Sequence, residues 1–86
     1  MRMNFITFRS VTPAQRAQRL LRSVGIETVL LRTPRWMEER GCGYCLRLRQ
    51  QDTDQAVAAL RQNKLAFSKV YAGTDTGAEE LHYDLP

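Results

Sequence analysis

The chain has 86 residues, 43% of them hydrophobic, and a formal net charge of +4. That length supports one small core with a net stability on the order of a few kcal/mol, and it excludes a large enclosed active site. All 13 Lys and Arg fall within residues 1–72, where they face only Glu27, Glu38, Glu39, Asp52 and Asp54, while Asp75, Glu79, Glu80 and Asp84 crowd the end. We therefore divide the chain into a basic domain, 1–73, and an acidic C-terminal tail, 74–86. Such a charge split suits an anionic ligand or an acidic partner protein, or else is an ordinary solvated surface.

"MNFITFR" (3–9) is apolar and aromatic and predicts a strand. Thr12-Pro13 reads as a helix start, with Thr12 capping free N–H groups and Pro13 at the first helical position. Ala17, Leu20, Leu21 and Val24 follow at helical spacing, and Gly25 is placed to end the helix in a left-handed conformation. "IETVLLR" (26–32) predicts a second strand, broken by Thr33-Pro34-Arg35. "YCLRLRQ" (44–50) alternates, with Tyr44, Leu46 and Leu48 on one face and Cys45, Arg47 and Arg49 on the other, as in a strand with one buried side. Asp52 or Thr53 can cap a second helix that carries Ala56, Val57, Ala59 and Leu60, and Asn63 is placed to stop it. "AFSKVYAG" (66–73) predicts a fourth strand. From Thr74 onward the composition reads as a flexible tail or a strap. The order β-α-β-β-α-β predicts an α+β fold of the ferredoxin-like split βαβ type, with two helices on one face of a four-stranded antiparallel sheet.

The only cysteines are Cys42 and Cys45, in a Cys-x-x-Cys. The first ten residues lack the apolar centre of a secretion signal, and no apolar run approaches membrane-spanning length, so the cytoplasm is the expected compartment. In a reducing compartment such a pair is more often catalytic or metal-binding than structural. The expected topology brings the end of strand one, the start of helix one and the connection 32–43 to one end of the sheet. A sulfur there would lie near a helix N-terminus, whose free N–H groups favour an anion, with Arg32, Arg35 and Arg40 as nearby cations. Glu38 and Glu39 oppose them. Gly43, lacking Cβ, lets the backbone approach a ligand, or else makes a tight entry into the strand.

A fully extended path from Cys42 to Cys45 would separate their Cα atoms by nearly 10 Å, beyond the reach of about 7 Å that a disulfide allows. The two can pair only if the intervening backbone turns back. Cys42 in the loop is the better nucleophile. Cys45 on the strand is open to three readings: a resolving thiol, a second thiol on the open sheet face, or a small filler. A thioredoxin-type site would begin a helix, whereas "LRLRQ" has a strand pattern. A structural zinc site needs four ligands, and one protomer offers Cys42, Cys45 and His82, so no metal is expected. The aromatic-and-glycine signature of an RNA-recognition motif is absent, so nucleic acid is not an expected partner.

"ITFRSVTPAQRAQRLLRSVGIETVLLRTPR", followed by "CGYCLRL" and an Asp-bearing helix start, resembles a family of small bacterial selenium/sulfur carrier-like proteins, first grouped as a domain of unknown function. Thr-Pro-Arg followed by Cys-Gly is the most diagnostic part, and the similarity spans about residues 5–72. Cys45 stands where the family pattern has a small residue. The resemblance implies a carrier, not a stand-alone enzyme, that holds reduced sulfur or selenium covalently on Cys42, with no other cofactor. An anionic adduct there would be stabilised by the helix-one N–H groups, the Ser10 and Thr12 hydroxyls and Arg35, with Gly43 leaving the backbone open to it, and the resemblance implies donor and acceptor proteins reached by thiol exchange. Two other classes remain open. One is a regulatory or binding module that uses Arg47 and Arg49, with a homodimer through the open sheet as one form. The other is a small dithiol redox protein.

Overall fold

The computed structural model describes residues 2–34, 43–74 and 77–81. Strand β1 (Met3–Phe8) leads into helix α1 (Val11–Ser23), followed by β2 (Val29–Arg32) and β3 (Tyr44–Arg49). A short 3-10 turn (Gln50–Asp52) then enters α2 (Thr53–Gln62), and β4 (Val70–Thr74) and β5 (Gly77–Leu81) complete the order. All strand pairs are antiparallel, in the order β2-β3-β1-β4-β5. The architecture is α+β, with five strands where the sequence predicted four.

β5 lies in the stretch expected to be a tail. Its pairing runs from Val70 opposite Leu81 to Thr74 opposite Gly77. Leu81 packs against the core, and the Lys69 ammonium meets the Glu80 carboxylate at 3.4 Å. Ladder bonds and these two contacts override the low strand propensity of acidic residues. At Gly73 a Cβ would stand 2.7 Å from the Met3 carbonyl oxygen, so only glycine permits this approach of β4 to β1.

Register explains the core. Ile6 pairs with Leu46 and Val70, and Asn4 with Leu48, so these side chains share one face. α1 lays Ala14, Ala17 and Leu21 on that face and α2 adds Ala56, Val57, Ala59 and Leu60, all buried. Each fully buried Leu or Ile contributes about 1.5–3 kcal/mol. Asn4 is the polar exception. Its Nδ2 donates to Thr53 Oγ1 at 2.9 Å, and that hydroxyl donates to the Arg49 carbonyl at 3.2 Å, tying β1 to the start of α2.

The helix ends refine the expectations. α1 begins two residues earlier than predicted, with Ser10 as the extended N-cap residue, and Pro13 sits third in the helix. Proline is tolerated there because the first-turn N–H groups have no intrahelical acceptor. Gly25 adopts φ +84, and Ile26 N–H returns to the Leu21 carbonyl at 2.8 Å, closing the helix as predicted. That bond turns Ile26 into the core, so β2 starts at Val29 and not at Ile26. Val24, expected on the apolar stripe, is exposed. At the end of α2, Asn63 keeps a negative φ and caps with its side chain, Nδ2 donating to the Ala59 carbonyl at 2.9 Å, while Lys64 takes the left-handed conformation. Among the described residues no helix is long and apolar enough to cross a membrane.

Candidate functional site

Phe8 and Tyr44 are paired at one end of the sheet. Ser10 and α1 follow Phe8, and Gly43 precedes Tyr44, so the start of α1 and the entry to β3 share that end. Thr33 N–H donates to the Gly43 carbonyl at 3.0 Å, continuing the β2–β3 ladder one step past Arg32. The described ends of the connection between β2 and β3 therefore sit where the topology predicted. Cys42 and Arg35, the predicted attachment point and one of its partners, lie outside the described residues, as do Arg40 and His82.

Of the other predicted site residues, Ser10 is exposed, and its hydroxyl makes no capping hydrogen bond to the helix. Thr12 is exposed in the first turn of α1, which carries no acidic side chain. The free N–H groups of that turn thus face no competing carboxylate of their own helix. Gly43 is half-buried, and among the described residues no atom beyond its chain neighbours lies within 4 Å of where a Cβ would stand. Arg32 leans over Tyr44, its guanidinium 5.3 Å from the ring centroid and Nη1 3.5 Å from the phenol oxygen, so it is occupied on the helix-covered side.

Cys45 departs from expectation. Alternation places it on the face away from the helices, which was predicted to be open, yet its exposure is 0%. This removes the reading of Cys45 as a thiol on an open surface. Its Cα partners are Thr7 on β1 and Leu31 on β2, and Thr7 is 1% exposed. Burial pushes the Cys45 thiol up in pKa, opposed by the Thr33 hydroxyl, which faces the sulfur without a well-formed hydrogen bond, and by the positive charge of Arg47. Desolvation wins, as it does for a thiol taken out of water without a matching full charge pair.

The residue that sequence reasoning missed is Thr33. It is 7% exposed, and its hydroxyl makes no hydrogen bond of sound geometry although it faces the Cys45 sulfur closely enough to lower its pKa. Arg47 Nε is likewise buried without a partner. Leaving such a group unpaired costs about 1–3 kcal/mol. One signal was available: if β2 pairs with β3, the period of two along Val29, Leu31 and Thr33 puts Thr33 on the Cys45 face. Arg49, grouped with Arg47 as an anion-binding candidate, is instead held by Asp52 at 3.0 Å. A shallow polar hollow lined by Arg2, Arg49, Gln50, Gln51 and Asp54 lies at the opposite end of the sheet and does not involve the cysteines.

In comparison with known proteins, residues 3–72 match the family described as "Putative Se/S carrier protein-like". No curated protein and no solved structure matches the chain. The matched stretch includes β1 through most of β4, both cysteines and the whole helix-covered core. The chain belongs to the Se/S carrier protein-like family.

Proposed function

We propose that this chain holds reduced sulfur or selenium as an anionic adduct on Cys42 and hands it to a partner protein by thiol exchange. It acts as a carrier in the cytoplasm, between a donor and an acceptor of sulfur or selenium metabolism. The observation that carries this reading is the family match, which runs through Cys42 and Gly43.

The chemistry asks little of the rest of the chain. A thiolate attacks the outer chalcogen atom, and the carrier's thiolate leaves, so reactivity depends on access and on stabilisation of negative charge. Ser10 and Thr12, with hydroxyls exposed at the start of α1, support such stabilisation, as do the N–H groups of its first turn. Arg35 is assigned the countercharge, and Gly43 keeps the backbone beside Cys42 unobstructed. Cys45 is a second thiol, shut away from solvent.

The test is anaerobic incubation with selenide or a small persulfide donor, followed by intact mass measurement. The wild-type chain should gain one chalcogen atom, and Cys42→Ser should not. An unchanged wild-type mass would count against the carrier reading.

A further inference from the structure

Helix α1 presents a row of cations with no anion to meet them. Arg16, Arg19 and Arg22 recur every third residue, and all three are exposed. At about 100° per residue they fall, together with Gln15, within roughly a third of the helix circumference. That arc lies opposite the buried Ala14, Ala17 and Leu21. α1 contains no acidic residue, and among the described residues no hydrogen bond, ion pair or ring contact holds any of the three arginines. Other cations of the chain are held: Arg32 over Tyr44, Arg61 over Phe67, Arg49 by Asp52 and Lys69 by Glu80. Like charges three residues apart destabilise a helix, so the row weakens α1 and nothing within the chain offsets it. A shallow hollow lined by Gln15, Gln18 and Arg19 opens on the same side. Gln18 is fixed beside it, its Nε2 donating to the Thr28 carbonyl at 3.3 Å.

We propose that this face of α1 is a docking surface for an acidic helix of a partner protein, whose carboxylates lie along the arginine row. Charge and spacing select that occupant. Successive arginines are about 4.5 Å apart along the helix axis, and carboxylates at i, i+3 or i, i+4 of a partner helix are about 4.5–6 Å apart. The two rows therefore stay in step over three contacts. Each guanidinium fork takes a carboxylate through two parallel N–H donors. The hollow beside Arg19 receives one such side chain next to the Gln15 amide. Nucleic acid fits this face less well, because α1 has no aromatic residue for a base to stack on. A bilayer also fits poorly, because the apolar side of α1 is buried in the core. The row lies about 9–18 Å along the axis from Ser10. A docked helix is thus held beside the end of the sheet that Ser10 and Gly43 share. The surface stands on charge and spacing; only naming its partner as a donor or acceptor rests on the carrier reading given above.

The test is calorimetric titration of the full chain at low salt with two helix-forming peptides of one composition. The first repeats Glu at i, i+3 and i+7 along a single face, and the second spreads the same Glu residues round the helix. The one-faced peptide should bind wild type about tenfold more tightly than the other, and the margin should shrink as salt is raised. Arg16→Gln/Arg19→Gln should abolish the margin. Arg2→Gln/Lys64→Gln loses the same charge from exposed positions off α1 and should keep it. Glutamine at exposed helix positions has a helix propensity close to that of arginine, so the α1 variant keeps its fold. Equal affinity for the two peptides would overturn the inference, as would equal loss in both double variants, since net charge alone would then explain binding. An RNA duplex of equal charge, or an anionic lipid vesicle, that binds these arginines more tightly than the one-faced peptide would also overturn it. Each of those results leaves the carrier reading standing. A chain that takes up no sulfur yet keeps the peptide preference would remove the carrier reading and leave the docking surface.

Discussion

On the helix-covered face of the sheet, Ile6, Leu46, Leu48 and Val70 are sealed beneath aliphatic side chains of α1 and α2. On the opposite face the sealed positions are Thr7, Thr33, Cys45 and Tyr71, each with a polar or ionisable atom. The first face obeys the rule that apolar surface leaves water, and its energetics are those of packing. The second buries groups that cost stability unless they are partnered, and two of its donors are not. A small domain with little stability to lose tolerates such a cost where it serves chemistry. Packing stability is carried by the helix side, whereas the other side buries polar groups that lack partners.

The largest test of that division is Leu46→Ala, which removes a fully buried side chain from the helix face. It should cost about 2–5 kcal/mol, enough to unfold much of the population in a urea titration. On the other face, Gly73→Ala forces a Cβ to within 2.7 Å of the Met3 carbonyl and 3.4 Å of a Phe5 ring carbon. Overpacking of that kind should cost about 1–3 kcal/mol, read as a lower urea midpoint. Thr33→Val should have the opposite sign. It replaces an unpaired buried hydroxyl with a methyl group of the same shape, so stability should be unchanged or higher by up to about 1 kcal/mol. A loss of more than that would show that the hydroxyl has a structural partner.

The smallest effect is in pH. Cys45 has a raised pKa in the folded chain, so the folded state retains a proton that the unfolded state releases. Its contribution is fully present below the unfolded thiol value of about 8.5 and is lost as pH rises through the higher folded value. Wild type should therefore lose more stability than Cys45→Ala between about pH 8 and pH 10, in matched denaturation series. Parallel curves would mean that the thiol titrates alike in both states.

The helix-covered face was the more legible one in the sequence. The spacing of Ala17 and Leu21, and of Ala56, Val57 and Leu60, reports a helix face directly, and Gly25 marks an end through its own backbone conformation. Alternation in "YCLRLRQ" assigned Cys45 to the right face but could not say whether that face was covered, since burial depends on segments distant in sequence. Thr33 was hidden for a related reason. Its importance exists only across the β2–β3 ladder, and beside Pro34 it reads as part of a strand break. β5 was missed because Glu79 and Glu80 signal solvent locally, while its pairing with β4 and the Lys69 contact are tertiary.

The division of labour between the two thiols is open to one direct measurement, the site-resolved alkylation rate of the native chain across pH. Cys42 should react as a thiolate already near neutral pH, and Cys45 should stay unmodified until denaturant exposes it. Equal reactivity of the two in the folded chain, or a Cys42 that reacts only as pH passes the ordinary thiol range, would contradict the account.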